Sequence, residues 1–515
     1  MHEATAMTLP PPAALPDTAP KDAYERERLA NVRPVDWSNP LPADRYHLVV
    51  IGAGTAGLVA ARGAAALGAR VALVERDLIG GDCLNIGCVP SKALIRTSRL
   101  YSQMRNADHY GAVAPQDFRM DFPATMARMR KLRARISRSD SIARIADAGV
   151  DVFFGQARFT SGDSLDVGGR RLRFRKAMIA TGARPDTPPI PGLIEAGFLT
   201  NENVFDLTQL PPRLLVIGGG PLGCELAQAF SRFGARTIIV QDMPLFLPRE
   251  ERDAAQLLSD AFARDGLEVR LNTTVVGVRM RDGEKLVDMV SDDYHSAVAV
   301  DAILTGTGRV PNIEGLDLPA AGVDADADSG VRVNDFLRTS NPRIYAAGDV
   351  CLEHKYTHTA DASARIVVRN ALFAGRQRVS ALTIPWCTYT DPEIAHVGLY
   401  VRQANEQGIP VRTFTVPMHE VDRAILDGEQ TGFVKIHVAQ RSDRILGATI
   451  VASHAGEMIN EITLAMVAGI GLNTLANVIH AYPTQAEAIR QAANACSRSR
   501  LTPFISNLMR WWLRR

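Results

Sequence analysis

Two cysteines in one short segment carry the clearest chemistry in the chain. Cys83 and Cys88 stand in Gly80-Gly81-Asp82-Cys83-Leu84-Asn85-Ile86-Gly87-Cys88-Val89-Pro90-Ser91-Lys92. Nothing at metal-ligand spacing supplies the second pair of ligands that a tetrahedral zinc site needs. Either the two are unrelated core thiols, or a loop-to-helix junction brings both sulfurs together. At such a junction the unpaired amides of the first helical turn stabilise a thiolate and make it a competent nucleophile. A bonded pair in a reducing compartment is redox-active rather than structural.

The elements that must position these thiols are legible on both sides. His47-Leu48-Val49-Val50-Ile51 is a short apolar strand running into Gly52-Ala53-Gly54-Thr55-Ala56-Gly57, then a helical stretch, then a strand ending at Glu75. The pattern recurs 166 residues later: Leu214-Leu215-Val216-Ile217, then Gly218-Gly219-Gly220-Pro221-Leu222-Gly223, a helix, and a strand ending before Gln241. A glycine turn between a strand and a helix lets backbone approach a pyrophosphate held on the helix N-terminus, so the repeat predicts two dinucleotide sites. In the first, Glu75 would accept hydrogen bonds from a ribose diol. In the second, Gln241 lacks the carboxylate that repels a 2′-phosphate, which tilts the expectation towards NADPH over NADH, with Asp242 and Arg249 pulling in opposite directions.

The rest of the chain frames these units. Its 515 residues, 46% hydrophobic and 22% charged, are enough for about three domains of ~150 residues. A formal charge of +2 gives no basic stripe for nucleic acid. No apolar run reaches the ~20 residues of a membrane span, and the N-terminus lacks a secretory pattern. Six cysteines exclude a disulfide scaffold. The expected organisation is a mobile Pro/Ala-rich tail over 1–45, a discontinuous first nucleotide domain over 46–200 and 312–383, and a second over 201–311. An α+β domain over 384–497 and a basic amphipathic tail over 498–515 complete the chain. That tail reads as a packing helix or a peripheral membrane contact.

The glycine loops and the GGxCxNxGCxPSK segment together resemble the FAD-dependent pyridine nucleotide–disulfide oxidoreductases. Ala180-Thr181-Gly182-Ala183-Arg184-Pro185 and Thr307-Gly308-Arg309-Val310-Pro311 resemble that family's two crossover turns, and Tyr345-Ala346-Ala347-Gly348-Asp349-Val350 its second FAD motif. The resemblance spans residues 46 to about 497 and implies an α/β fold: two Rossmann-like domains, for FAD and NAD(P), and a C-terminal α+β dimerisation domain that makes a cytoplasmic homodimer. It implies FAD contacts from Gly52, Gly54, Gly57, Glu75, Gly81, Lys92, Ala157, Thr181, Gly182 and Asp349, and NADPH or NADH contacts from Gly218, Gly220, Gly223, Gln241 and Gly308. It implies that Cys83 and Cys88 form a redox-active disulfide, with Cys88 on the flavin side and Cys83 meeting substrate. Lys92 and Glu225 match the family's ion pair beside the flavin.

The acceptor turns on the C-terminal domain. Family members that reduce disulfides carry a His-Pro dyad with a Glu-paired His, which shuttles the proton of thiol exchange. Here the segment reads His480-Ala481-Tyr482-Pro483-Thr484-Gln485-Ala486-Glu487. Tyr482 takes the dyad position, Glu487 remains, and His480 is expected to face elsewhere. Tyrosine, with a pKa near ~10, is a poor shuttle. That substitution is similar to mercuric reductase, in which two thiolates bind the metal; Hg(II) would then be a substrate at Cys83 and Cys88 and no structural metal is expected. Against it, residues 1–45 hold no cysteine, Cys496 stands without a vicinal partner, and Phe198 falls where mercuric reductase has a second tyrosine. The alternatives are a dihydrolipoamide dehydrogenase or other small-disulfide reductase, a reductase of another soft metal or a quinone, and a slow redox-sensing flavoprotein. Cys224, Cys351 and Cys387 read as structural thiols, and His358 as a capping or packing residue.

Overall fold

A computed structural model describes residues 22–500 and 503–514, apart from 116, 117 and 293. Its first domain is built on a parallel sheet with spatial order Val150–Phe154, Val71–Glu75, Tyr46–Ile51, Arg170–Ile179, joined by Ile344–Ala346 and extended by an antiparallel hairpin over Ala157–Ser161 and Ser164–Val167. The central strands are buried on both faces, as a parallel sheet covered by helices requires. The helix Thr55–Ala66, whose buried residues are mostly alanines, packs on Thr357–Leu372. Strand 344–346 belongs to this first sheet, so the chain leaves the domain and returns to it.

The second domain repeats the unit in a four-stranded parallel sheet, Glu268–Arg270, Arg236–Val240, Arg213–Ile217 and Ala302–Thr305, with an antiparallel meander over Thr273–Val300. The crossover into it comes earlier than the boundary at 200. Ile190, Leu193 and Phe198 already pack in its core, and Leu199 N–H donates to Ile303 O at 2.7 Å. The third domain is a five-stranded antiparallel sheet covered by the helices Ala455–Val467 and Glu487–Arg498. Its strands include Glu393–Gly398 and Val411–Pro417.

The N-terminal expectation needs correction. Residues 1–21 lie outside the described residues, but Ala23–Val32 is a helix rather than a mobile tail, capped by the Asp22 carboxylate accepting the Glu25 N–H at 2.9 Å. It is held by charges that sequence periodicity does not register. Arg28 donates to Glu25 and to Asn85 Oδ1, and Arg133, 2% exposed, donates to Glu25 at 2.9 Å and to Asn85 O at 2.8 Å. Asn85 lies between the two cysteines of interest, so this helix braces their segment from behind. Removing one partner from so buried a pair costs about 3–5 kcal/mol.

Candidate active site

Both glycine turns are built by the same backbone contacts. Gly52 N–H donates to Val74 O at 2.7 Å and Gly218 N–H to Val240 O at 2.9 Å. Their φ angles, +101° and +105°, belong to the left-handed region that glycine alone tolerates easily. A Cβ on Gly57 would stand 1.8 Å from Gly52 O, and one on Gly223 2.2 Å from Gly218 O. Glu75 Oε2 accepts the Ala53 N–H at 2.7 Å, and Gln241 Oε1 accepts the Gly219 N–H at 2.7 Å. The offset of 166 thus holds to the individual hydrogen bond. Both residues brace the turn from the end of the second strand. The other Glu75 oxygen takes the Asp77 N–H at 2.8 Å, and Gln241 Nε2 donates to Asp242 at 2.9 Å. Arg249 is exposed and lies in the field of Lys355 and Tyr356.

A cavity of about 350 Å³ opens over the first turn. Its walls include Gly52, Gly54, Glu75, Thr181, Gly182 and Asp349; Gly81, Ala157 and both cysteines also line it. Gly81, at φ +54°, packs so close to the turn that a Cβ on it would lie 2.6 Å from Gly54 Cα. The redox segment and the glycine turn therefore form one continuous backbone wall. Arg309, in the second crossover turn, spans the cavity: it pairs with Asp82, donates to Ala183 O at 2.6 Å, and sets its Nε 3.7 Å from Asp349. The crossover turns pair as strands, Arg309–Pro311 against Ala183–Pro185, with Gly308 at φ +139° leading in. Gly308 does not line the cavity over the first turn.

Cys83 sits in the short helix Gly81–Asn85, and Cys88 is the first residue of the helix Cys88–Arg105. Cys83 is half-buried and Cys88 exposed, and each shifts the ionisation of the other. The surroundings favour a thiolate on Cys88: the neighbouring Cys83 thiol, the Lys92 charge and the Thr357 hydroxyl lower it to about 5. Cys83 is driven upward by the neighbouring Cys88 side chain and its charge and by burial. Thr357 Oγ1, 3.4 Å from Cys88 Sγ, opens the helix Thr357–Leu372, so two helix starts converge on this sulfur.

One turn beyond Cys88, Lys92 Nζ donates to Glu225 Oε2 at 2.7 Å and lies 4.6 Å from the centre of the Tyr389 ring. Glu225 is buried on the helix that follows the second glycine turn, and its other oxygen takes the Tyr389 N–H at 2.9 Å. Burial opposes the Lys92 charge, but Glu225 and Cys88 hold its pKa above the ordinary value. This ion pair joins the cysteine helix to the second nucleotide domain.

The C-terminal residues are not part of this cluster within one chain. Tyr482 is 69% exposed and donates to Asp422 Oδ2 at 2.8 Å, which raises the phenol further and makes it a still poorer acid–base group. Glu487 pairs with Arg490. His480 Nε2 lies 3.0 Å from Glu461 Oε1, a residue of the helix Ala455–Val467 that nothing in the local sequence marks as its partner. Phe198 packs in the second domain's core. Cys224 and Cys496 are buried, Cys351 and Cys387 partly so, and His358 Nε2 lies 2.7 Å from Pro385 O. Arg309 and Thr357 are the site residues that sequence reasoning passed over. The first stands within the second crossover turn; the second carries no signal beyond preceding a helix.

Two glycine turns of one design, a thiol pair at a helix start and an antiparallel third domain define a flavoprotein oxidoreductase, and the chain belongs to the pyridine nucleotide-disulphide oxidoreductase family. It matches that family's model over residues 46–365 and the family's dimerisation domain over 384–493. It is 32% identical to the mercuric reductase of Lysinibacillus sphaericus over 477 residues, 93% of this chain and 87% of that one. It is 34% identical to the dihydrolipoyl dehydrogenase of Thermus scotoductus over 468 residues, 87% of this chain and 97% of that one. Among solved structures, the HOCl-induced flavoprotein disulfide reductase RclA of Escherichia coli superposes with a TM-score of 0.78 at 30% identity, covering 87% of this chain and 99% of that one. Enzymes of this family use FAD and NAD(P)H, and the cavity fits the first: a backbone wall that a Cβ at Gly81 would close, with the Asp349 carboxylate at its side.

Proposed function

We propose that the protein is a homodimeric NAD(P)H-dependent reductase of thiolate-bound Hg(II). Gly52, Gly54, Glu75, Thr181, Gly182 and Asp349 would hold FAD, and Gly218, Gly220, Gly223 and Gln241 the nicotinamide nucleotide, with NADPH favoured by the neutral Gln241. Bound FAD supplies the relay by which a hydride equivalent from NAD(P)H becomes an electron pair at the cysteines. The residues of this chain do the rest. Cys88 enters as a thiolate, with Lys92 opposing its charge. Cys83 gives up its proton as the metal binds, so that two thiolates hold a soft two-coordinate ion. The balance is NADPH + Hg(II) → NADP⁺ + H⁺ + Hg(0), which leaves both thiols reduced. No leaving thiol needs reprotonation, so an acid–base histidine is dispensable.

The carrying observation is Tyr482, an exposed phenol held above its ordinary pKa where a disulfide reductase of this family places its proton shuttle. Leu464, Val467, Ile479 and Tyr482 leave an exposed apolar face on the dimerisation domain, which a second copy would cover. A reducing compartment, the cytoplasm, suits the two thiols. Hg(II)-dependent NADPH oxidation in excess thiol, with Cys83→Ala as control and oxidised lipoamide alongside, tests the reading. Turnover that needs Cys83, with little lipoamide reduction, is expected; inhibition by Hg(II) with good lipoamide turnover overturns it.

A second reading, a small-disulfide reductase, is favoured by the His480–Glu461 pair. It supplies a carboxylate-backed imidazole two residues from Tyr482. His480→Gln would then lower lipoamide turnover and leave Hg(II) turnover unchanged.

A further inference from the structure

We propose that the C-terminal helix Pro503–Leu513 docks this enzyme on an anionic membrane surface. Charge is the first argument. Residues 498–515 carry five arginines and no acid, whereas the remaining 497 residues sum to −3. The whole positive balance of the chain is therefore concentrated in this tail, and no comparable attraction to anionic lipid is spread over the body of the protein.

The helix provides the second argument. At its C-terminal end Met509, Trp511, Trp512 and Leu513 are 53%, 50%, 68% and 83% exposed. Arg510 lies on one side of the helix and Arg514 follows directly after its end, while Met509, Trp512 and Leu513 share another side. So large an apolar surface left in water, beside a basic stripe, is the pattern of a helix that lies in a bilayer interface. Tryptophan settles at the headgroup level, with its ring towards the acyl chains and its N–H in the wet layer. Guanidinium groups pair with lipid phosphates. The alternative occupant, a second copy of this chain, is poorly matched because two such helices would oppose arginine to arginine. No helix among the described residues is long and apolar enough to cross a membrane, so the contact would be peripheral.

The test is flotation of the full FAD-loaded enzyme with phosphatidylglycerol–phosphatidylcholine vesicles and with phosphatidylcholine vesicles alone. Binding to the anionic vesicles, weakened by salt, is expected. Trp511→Ser with Trp512→Ser, or Arg510→Glu with Arg514→Glu, should each lower it roughly tenfold or more. Both variants should keep the wild-type flavin content, dimer size and NADPH oxidation rate, which shows that they fold. Equal binding to both vesicle types, or variants that float like wild type, would overturn the proposal. So would a shift to monomer in either variant, which would make the helix an arm between subunits.

Discussion

The two glycine units share a backbone and differ in what is attached to it. In both, the residue closing the second strand accepts a turn N–H at 2.7 Å, from Glu75 in one and Gln241 in the other. The first unit is fused to the redox segment through the Gly54–Gly81 contact and opens on the cavity. The second buries Cys224, whose Sγ lies 3.4 Å from Gly219 O. Its contribution is Glu225, which reaches back to Lys92. In the proposed function one design is the seat of the redox chemistry and the other its supply, and the Lys92–Glu225 pair joins them.

That contrast breaks most sharply at the turns. Gly57→Ala, whose Cβ would stand 1.8 Å from a carbonyl oxygen, should purify with little or no FAD, read from the visible spectrum. Gly223→Ala, with the equivalent clash at 2.2 Å, should keep FAD yet be reduced by NADPH roughly 10²-fold more slowly in stopped flow. If both lose flavin, or neither does, the two units do not divide the work as described.

The ion pair comes next. Lys92→Met removes a cation beside the Cys88 thiolate and should raise its apparent pKa by roughly one unit, read as the pH dependence of long-wavelength thiolate absorbance. A smaller effect is expected at the strand ends. Gln241→Glu keeps an acceptor for the Gly219 N–H but adds a charge near a 2′-phosphate, worth about 1 kcal/mol across solvent, so preference should move towards NADH by several-fold. The smallest belongs to Glu75→Gln. A glutamine already braces the equivalent turn, so FAD should be retained with near-wild-type thermal stability; gross flavin loss would show that the Glu75 charge, rather than its brace, is what matters.

Much of this was legible in the residues because glycine turns and spaced cysteines act locally. The repeat at 166 residues and the thiol pair depend on short-range geometry that a strand–turn–helix unit dictates, whereas the Lys92–Glu225 pair, 133 residues apart, was legible only through the family resemblance. The helix Ala23–Val32 was not legible. Its stability comes from Arg28 and Arg133 meeting Glu25 and Asn85, a tertiary network that no apolar periodicity reports. Arg309 was hidden for the same reason: it sits in a motif but acts through Asp82 and Asp349, 227 and 40 residues away in sequence. The domain boundary near 200 slipped because Leu193 and Phe198 are ordinary apolar residues until the fold shows which core they enter.

A thiolate on Cys88, stabilised by its neighbours Cys83 and Lys92, is central to the proposed chemistry. The direct measurement is a pH titration of the long-wavelength thiolate absorbance in the two-electron-reduced enzyme, in wild type, Cys83→Ala and Cys88→Ala. The thiolate exists above its pKa and is lost below it, so the wild-type band should persist on acidification and fall with a midpoint near 5. The midpoint should rise in Cys83→Ala, where the neighbouring thiol is gone, and the band should be absent from Cys88→Ala. A wild-type midpoint near the ordinary thiol value of about 8.5, or a band that survives in Cys88→Ala, would contradict the assignment.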